Sequence, residues 1–234
     1  MSATPIADRV AEVQAAVRAA AVRAGRSPDE VCIVAASKTW PAAALRAVYA
    51  AGIRDFGENY AGEMLDKMAA LADLPDITWH FIGRVQRGNA KAIARADVVH
   101  GVGSRGQAEA LAKARRAVGG APLPVLLQVN VADEDSKNGF VVGDLAAAAH
   151  EIAAIPELSI RGLMAMPDVD TDALPAAFAR LRRLRDEVGS AWPMLSMGMS
   201  GDFEIAIAAG ATHVRIGTRL FGARPNTPSP EEPT

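Results

Sequence analysis

The sequence predicts an α/β chain closed into a (β/α)8 TIM-like barrel, with an extra helix ahead of the first strand. Three observations carry that expectation. Eight short β-rich runs alternate with alanine-rich amphipathic stretches along the 234 residues, and no linker interrupts the pattern. The residues with chemistry to offer stand at the C-terminal ends of those runs, where such a barrel keeps its site. Half the residues are hydrophobic, mostly Ala, Val, Leu and Ile, which is enough for a sizeable core. A doubly wound open sheet is the competing fold, because it places its sites at the same strand ends.

In chain order, the first helix is expected over Ile6–Ala24 and the first strand over Cys32–Ala36, inside the apolar run from Val31 to Ala36. Strands follow at Arg54–Gly57, Thr78–Gly83, Val98–Val102, Val125–Val131, Gly162–Ala165, Met194–Met197 and Val214–Ile216. Helices fall between them at Ala42–Ala51, Tyr60–Leu71, Gly88–Ala94, Arg105–Val118, Val142–Ala154, Leu174–Glu187 and Phe203–Ala209. In Leu174–Glu187 the apolar Leu174, Phe178, Leu181 and Leu184 share one face, and the arginines and acids take the other. Residues 1–224 read as one domain. Residues 225–234 carry four prolines and two glutamates with no apolar face, so a disordered tail is expected.

Composition excludes several functions. Aromatics make up 5% and the net charge is −2 with interspersed signs, which argues against nucleic-acid stacking surfaces and a broad electrostatic footprint. No apolar stretch reaches the roughly 18 residues of a membrane span, and the start lacks the pattern of a secretory signal. A single cysteine, Cys32, permits no internal disulfide and suits a cytoplasmic protein. His80, His100, His150 and His213 are too dispersed for a zinc pattern, and neither a dinucleotide fingerprint nor a phosphate-binding Gly-Lys-Ser/Thr loop occurs.

Lys38 is the most telling residue. Val34, Ala36 and Lys38 share a parity, so an inward strand side carries two small apolar groups and then an amine. Partial loss of water there favours the neutral amine, a nucleophile for carbonyl carbon. Taken alone, Lys38 is more plainly a solvated strand-end lysine. Arg215 and Gly217 share a parity in the last strand, and a guanidinium inside a barrel needs an acceptor, either a pyridine nitrogen or a carboxylate. Ser200, Gly217 and Thr218 offer hydroxyls and unobstructed N–H groups to a phosphate, although Ser200 or Asp202 could equally cap the helix that follows. Asn59 ends the second strand and could meet a ring or its phenolic oxygen. His80 reads as a core histidine or a ring contact, while Met197 and Met199 could line a ring pocket. Together these residues point to pyridoxal 5′-phosphate (PLP) held as a Schiff base on Lys38.

The same segments carry a family resemblance. Ala35-Ala36-Ser37-Lys38-Thr39, Phe56-Gly57-Glu58-Asn59-Tyr60, Trp79-His80-Phe81-Ile82-Gly83, Gly162-Leu163-Met164-Ala165-Met166 and the run from Leu195 to Gly222 resemble the pyridoxal phosphate homeostasis protein family. The resemblance implies a fold-type III barrel similar to the N-terminal domain of alanine racemase. It also implies a Lys38 Schiff base, phosphate held by Ser200, Gly217 and Thr218, and Arg215 facing the pyridine nitrogen. Gly88 and Asn89 depart from the family's usual Asn then Lys.

Two functions follow from that pattern. One is a non-enzymatic PLP-binding protein that buffers the cofactor and delivers it to apo-enzymes, most simply as a monomer. The other is an amino-acid racemase on the same barrel. A racemase needs a base on each face of the bound substrate. Lys38 supplies one, and the only tyrosines are Tyr49 and Tyr60. An arginine against the ring nitrogen also makes a weaker electron sink than an aspartate would. The binding protein is therefore the expected function.

Overall fold

Eight parallel strands close on themselves, each pairing with the next and the last with the first. They are β1 (Cys32–Ala36), β2 (Asp55–Glu58), β3 (Thr78–Phe81), β4 (Val98–Val102), β5 (Leu123–Asn130), β7 (Leu158–Met164), β8 (Met194–Met199) and β9 (His213–Ile216). The β4–β5 and β1–β9 pairings complete the ring. β6 (Phe140–Val141) stands outside it, paired to the end of β5 through Val129 and Phe140. This is a computed structural model, and it describes residues 4–132 and 138–223. The expected tail at 225–234 lies outside the described residues.

Helices α2 (Ala42–Ala50), α3 (Ala61–Ala70), α4 (Ala90–Ile93), α5 (Arg105–Val118), α6 (Leu145–Ala153), α7 (Leu174–Val188) and α8 (Phe203–Ala208) follow successive barrel strands. Strands buried on both faces and covered by helices are what a parallel sheet requires, and Leu123, Val125, Leu126 and Leu127 are all fully buried in β5. The closed barrel, and not the open sheet, is the fold.

α1 (Ile6–Arg23) has a more specific place than an added cover. After β9 the described residues form the four-residue α9 (Thr218–Phe221), too short to complete the outer ring. α1 lies against α2, α8 and α9 and fills that gap. Its buried stripe of Val10, Val13, Val17, Ala20 and Ala21 follows the helical repeat. Just beyond it, Arg26 Nη1 donates to the carbonyls of Ile207 and Ala211 at 3.0 and 2.7 Å. No helix among the described residues is long and apolar enough to cross a membrane.

β7 begins four residues earlier than the sequence pattern suggests, at Leu158. A register shift between Val125 and Leu126 interrupts its pairing with β5, so no single alternation runs through the strand. β6 was not expected, because two residues are too short to show a period.

Candidate functional site

A cavity of about 290 Å³ opens at the C-terminal end of the barrel. Lys38, Asn59, Ser200, Arg215, Gly217 and Thr218 all line it, together with Ala36, Trp40 and Ile82. Lys38 and Arg215 are the only ionisable side chains among the described residues that do so. Two cations and no carboxylate make a wall suited to an anion, in a chain of net charge −2. No grouping of described residues could hold a metal ion.

Lys38 stands on a backbone clamped from α3. Glu58 is fully buried at the end of β2, and its Oε1 accepts from Ser37 Oγ and from Lys67 Nζ, both at 2.6 Å. Lys67 Nζ also donates to the Ser37 carbonyl at 2.8 Å and pairs with Glu63 at 2.7 Å, which uses all three of its donors. Glu63 accepts the Thr39 N–H at 2.6 Å. The residues before and after Lys38 are thus both tied to this one network. Thr39 has φ 67°, a left-handed conformation uncommon for a β-branched residue, and the network holds it there. Burial pushes the Glu58 carboxyl above the usual range, against the opposing pull of Lys67. The Glu58 Oε2 atom meets no hydrogen-bond donor among the described residues.

On the neighbouring strand β9, Arg215 is 4% exposed. Its Nη1 donates to Ser196 Oγ at 2.6 Å and its Nη2 to the Ala165 carbonyl at 3.2 Å. Burial pulls its pKa down to about 10, still protonated at neutral pH. Ser200 Oγ accepts the Gly217 N–H at 3.3 Å, which joins the two loops carrying Ser200, Gly217 and Thr218. The α8 turn is held separately: the Asp202 carboxylate accepts the Met199 N–H. Gly83 lets the chain after β3 pass β2, because a Cβ there would sit 2.1 Å from the Asn59 carbonyl oxygen.

The structure does not bring His80 or Met197 to the cavity. His80 is 1% exposed in the barrel interior below it, bonded to Asp55 and His100. Met197 is fully buried in the core, whereas Met199 is 43% exposed and lines the cavity, as does Met166. The cause is a bulge in β8. Ser196 pairs with His213 and Met199 with Arg215, three residues against two. At the extra position Gly198 has φ 90°, and a Cβ on it would lie 2.5 Å from Ala206 of α8. The bulge keeps Met197 outside the barrel and returns Met199 to its mouth. Trp40, stacked on Phe221 with centroids 5.4 Å apart, was not anticipated from the sequence. Asn89, at the departure from the family pattern, ties its own loop together by accepting the Gln86 N–H and donating to the Arg84 carbonyl.

A closed parallel barrel with a lysine, an arginine and a two-loop hydroxyl cradle at its C-terminal mouth defines a class of anion-binding barrels with a carbonyl-reactive amine. The model of the alanine racemase N-terminal domain matches residues 10–225. The pyridoxal phosphate homeostasis protein of Pseudomonas aeruginosa is 51% identical over 222 residues, covering 94% of this chain and 96% of that protein. That of Escherichia coli is 40% identical over 231 residues, covering 94% and 97%. The PLP-bound structure of PipY from Synechococcus elongatus superposes with a TM-score of 0.78 at 36% identity, over 93% of this chain and all of that one. The chain belongs to the pyridoxal phosphate homeostasis protein family, within the alanine racemase N-terminal domain fold.

Proposed function

We propose that this protein binds PLP in the cavity at the barrel mouth, buffers it and supplies it to apo-enzymes, without turning over amino acids. Relatives at 40–51% identity are named for PLP homeostasis, and PipY has been solved with PLP bound. The residues present fit that occupant. Lys38 offers a primary amine on a fixed backbone, and Arg215 offers a donor from a buried wall. Ser200, Gly217 and Thr218 offer hydroxyl and N–H groups at a place where Gly201 leaves open space. PLP supplies an aldehyde that bonds reversibly to a primary amine. Lys38 is the residue to carry it, with Arg215 orienting the ring nitrogen and the Ser200–Thr218 cradle holding the phosphate.

The observation that carries the non-enzymatic reading is the lining itself. A racemase needs proton donors and acceptors on both faces of its substrate. Apart from Lys38 and the Arg215 guanidinium, no described residue lining this cavity has an ionisable side chain. Tyr49 is engaged with Asp76 and Arg54, and Tyr60 precedes α3 without lining the cavity. The test is to load the purified protein with PLP and incubate it with alanine in deuterium oxide. The expected result is a yellow protein that reactivates a PLP-requiring apo-enzyme and forms no D-alanine. D-alanine formed at enzyme-like rates, of order 1 s⁻¹, would replace this reading with a racemase.

A further inference from the structure

Beneath the cavity runs a buried polar chain that neither phosphate binding nor the amine of Lys38 requires. From Arg215 it passes to Ser196 Oγ at 2.6 Å, then to His100 Nδ1 at 2.9 Å. From His100 Nε2 it reaches His80 Nδ1 at 2.8 Å, and from His80 Nε2 it reaches Asp55 Oδ1 at 2.9 Å. Ser196 and His100 are fully buried and His80 nearly so. Asp55 is the first residue of β2, at the end of the barrel opposite the cavity.

With both rings neutral, the two ends fix the direction of every bond. A guanidinium can only donate and a carboxylate can only accept. Ser196 accepts from Arg215 and gives its own hydrogen to His100, whose Nδ1 must be bare. His100 then donates from Nε2 to a bare Nδ1 on His80, and His80 donates from Nε2 to Asp55. The same neutral tautomer satisfies both histidines, and all the bonds point from the cation towards the anion. Aligned bonds of this kind polarise one another in a low-dielectric interior. Burial also holds His100 well below its ordinary range. Burial is the largest influence on Asp55 and raises it, but the hydrogen bond and field of His80, the Cys32 thiol and His213 together outweigh it and keep the carboxyl below the usual range. His213, whose ring lies 6.1 Å from that of His80, bonds instead to Thr212. Arg215 makes no ion pair with a carboxylate among the described residues; Asp202 acts on it only through its field, and the hydrogen-bonded chain connects it to Asp55.

We propose that Ser196, His100, His80 and Asp55 form a positioning chain that fixes the Arg215 guanidinium and brings it a counter-charge from the far end of the barrel. A carboxylate outside the pocket then tunes how strongly Arg215 donates to the ring bound against it. That last step rests on the reading of the cavity as a PLP site, whereas the chain itself is tested without any ligand.

The first measurement is the nitrogen-15 spectrum of the histidine rings in ligand-free protein at neutral pH. His80 and His100 should both carry their hydrogen on Nε2, and any other tautomer or charge state on either ring overturns the chain. The second uses PLP labelled with nitrogen-15 in its ring, loaded into wild type, Asp55→Asn, His80→Gln and the remote buried control Ile93→Val. Cutting the carboxylate from Arg215 leaves the guanidinium less neutralised. The ring resonance should therefore move towards that of a protonated ring in Asp55→Asn and His80→Gln and stay in place in Ile93→Val. Asp55→Asn preserves side-chain volume, and a melting curve of each ligand-free variant shows whether it is folded. Unmoved resonances in both chain variants overturn the positioning role. A wild-type protein that takes up no PLP defeats the cofactor reading instead, and the histidine tautomers then decide the chain alone.

Discussion

Replacing Lys67 with methionine should be among the most damaging single changes outside the cavity. Methionine keeps much of the volume but removes the cation paired with the fully buried Glu58. Breaking a buried pair by deleting one partner costs about 3–5 kcal/mol, because the other charge is stranded. Here the stranded carboxylate already has one oxygen without a donor among the described residues, and burial pushes its carboxyl above the usual range. Against a typical total of about 5–15 kcal/mol, that loss is readable as a large drop in the urea midpoint of ligand-free protein. Changing both partners, Glu58→Gln with Lys67→Met, should cost less than the sum of the single changes. The same substitution frees the Ser37 carbonyl that Lys67 holds. Lys67→Met protein should therefore react with PLP more slowly than wild type even where it is fully folded. A cost below about 1 kcal/mol, or strict additivity in the double variant, would refute the clamp.

Two further outcomes follow from the site and the core. Replacing Ser200 and Thr218 with alanine should weaken PLP far more than pyridoxal, by about 1.5–3 kcal/mol for each charge-assisted bond lost; equal losses in titrations of both ligands would mean that these residues only shape the loops. Acid should destabilise the fold through His213, which burial, and then the field of His80, pull from 6.5 down to about 4. The unfolded chain binds the extra proton between those values, so this contribution is complete above pH 6.5 and is lost as pH falls towards 4, by about 3 kcal/mol in all. His100 acts in the same direction, while Glu58, with its raised carboxyl, opposes both. The difference in unfolding free energy between wild type and His213→Gln should shrink from pH 7 to pH 4.5, and a constant difference would exclude a His213 held neutral by the fold.

Much of the barrel was legible because its strands keep strict alternation where it matters. Ala36 at the end of β1 and Lys38 beyond it, like Arg215 in β9 and Gly217 beyond it, all line the cavity, as their shared parities suggest. The reading failed where alternation fails. Of Met197 and Met199, both candidates for the ring pocket, the bulge at Gly198 brings only Met199 to the cavity, and no spacing in Met194–Met199 announces it. His80 was misplaced for a different reason: its partners come from β2 and β4, and proximity across a barrel leaves no trace in linear spacing. The clamp was half visible. A carboxylate at the end of a buried strand calls for a cation, but Lys67 reads as an ordinary helix lysine until α3 is packed on the barrel. Trp40 and Met166 sit in loops after strands, where no periodicity reports direction.

The central claim is that PLP is carried on Lys38, and borohydride trapping with peptide mapping tests it most directly. Reduction of the loaded protein should bleach its yellow colour and leave reduced cofactor on the peptide containing Lys38. Lys38→Ala should give no such adduct. A stable adduct on Lys67 or Lys91 in the wild-type protein, with Lys38 unmodified, would contradict the account.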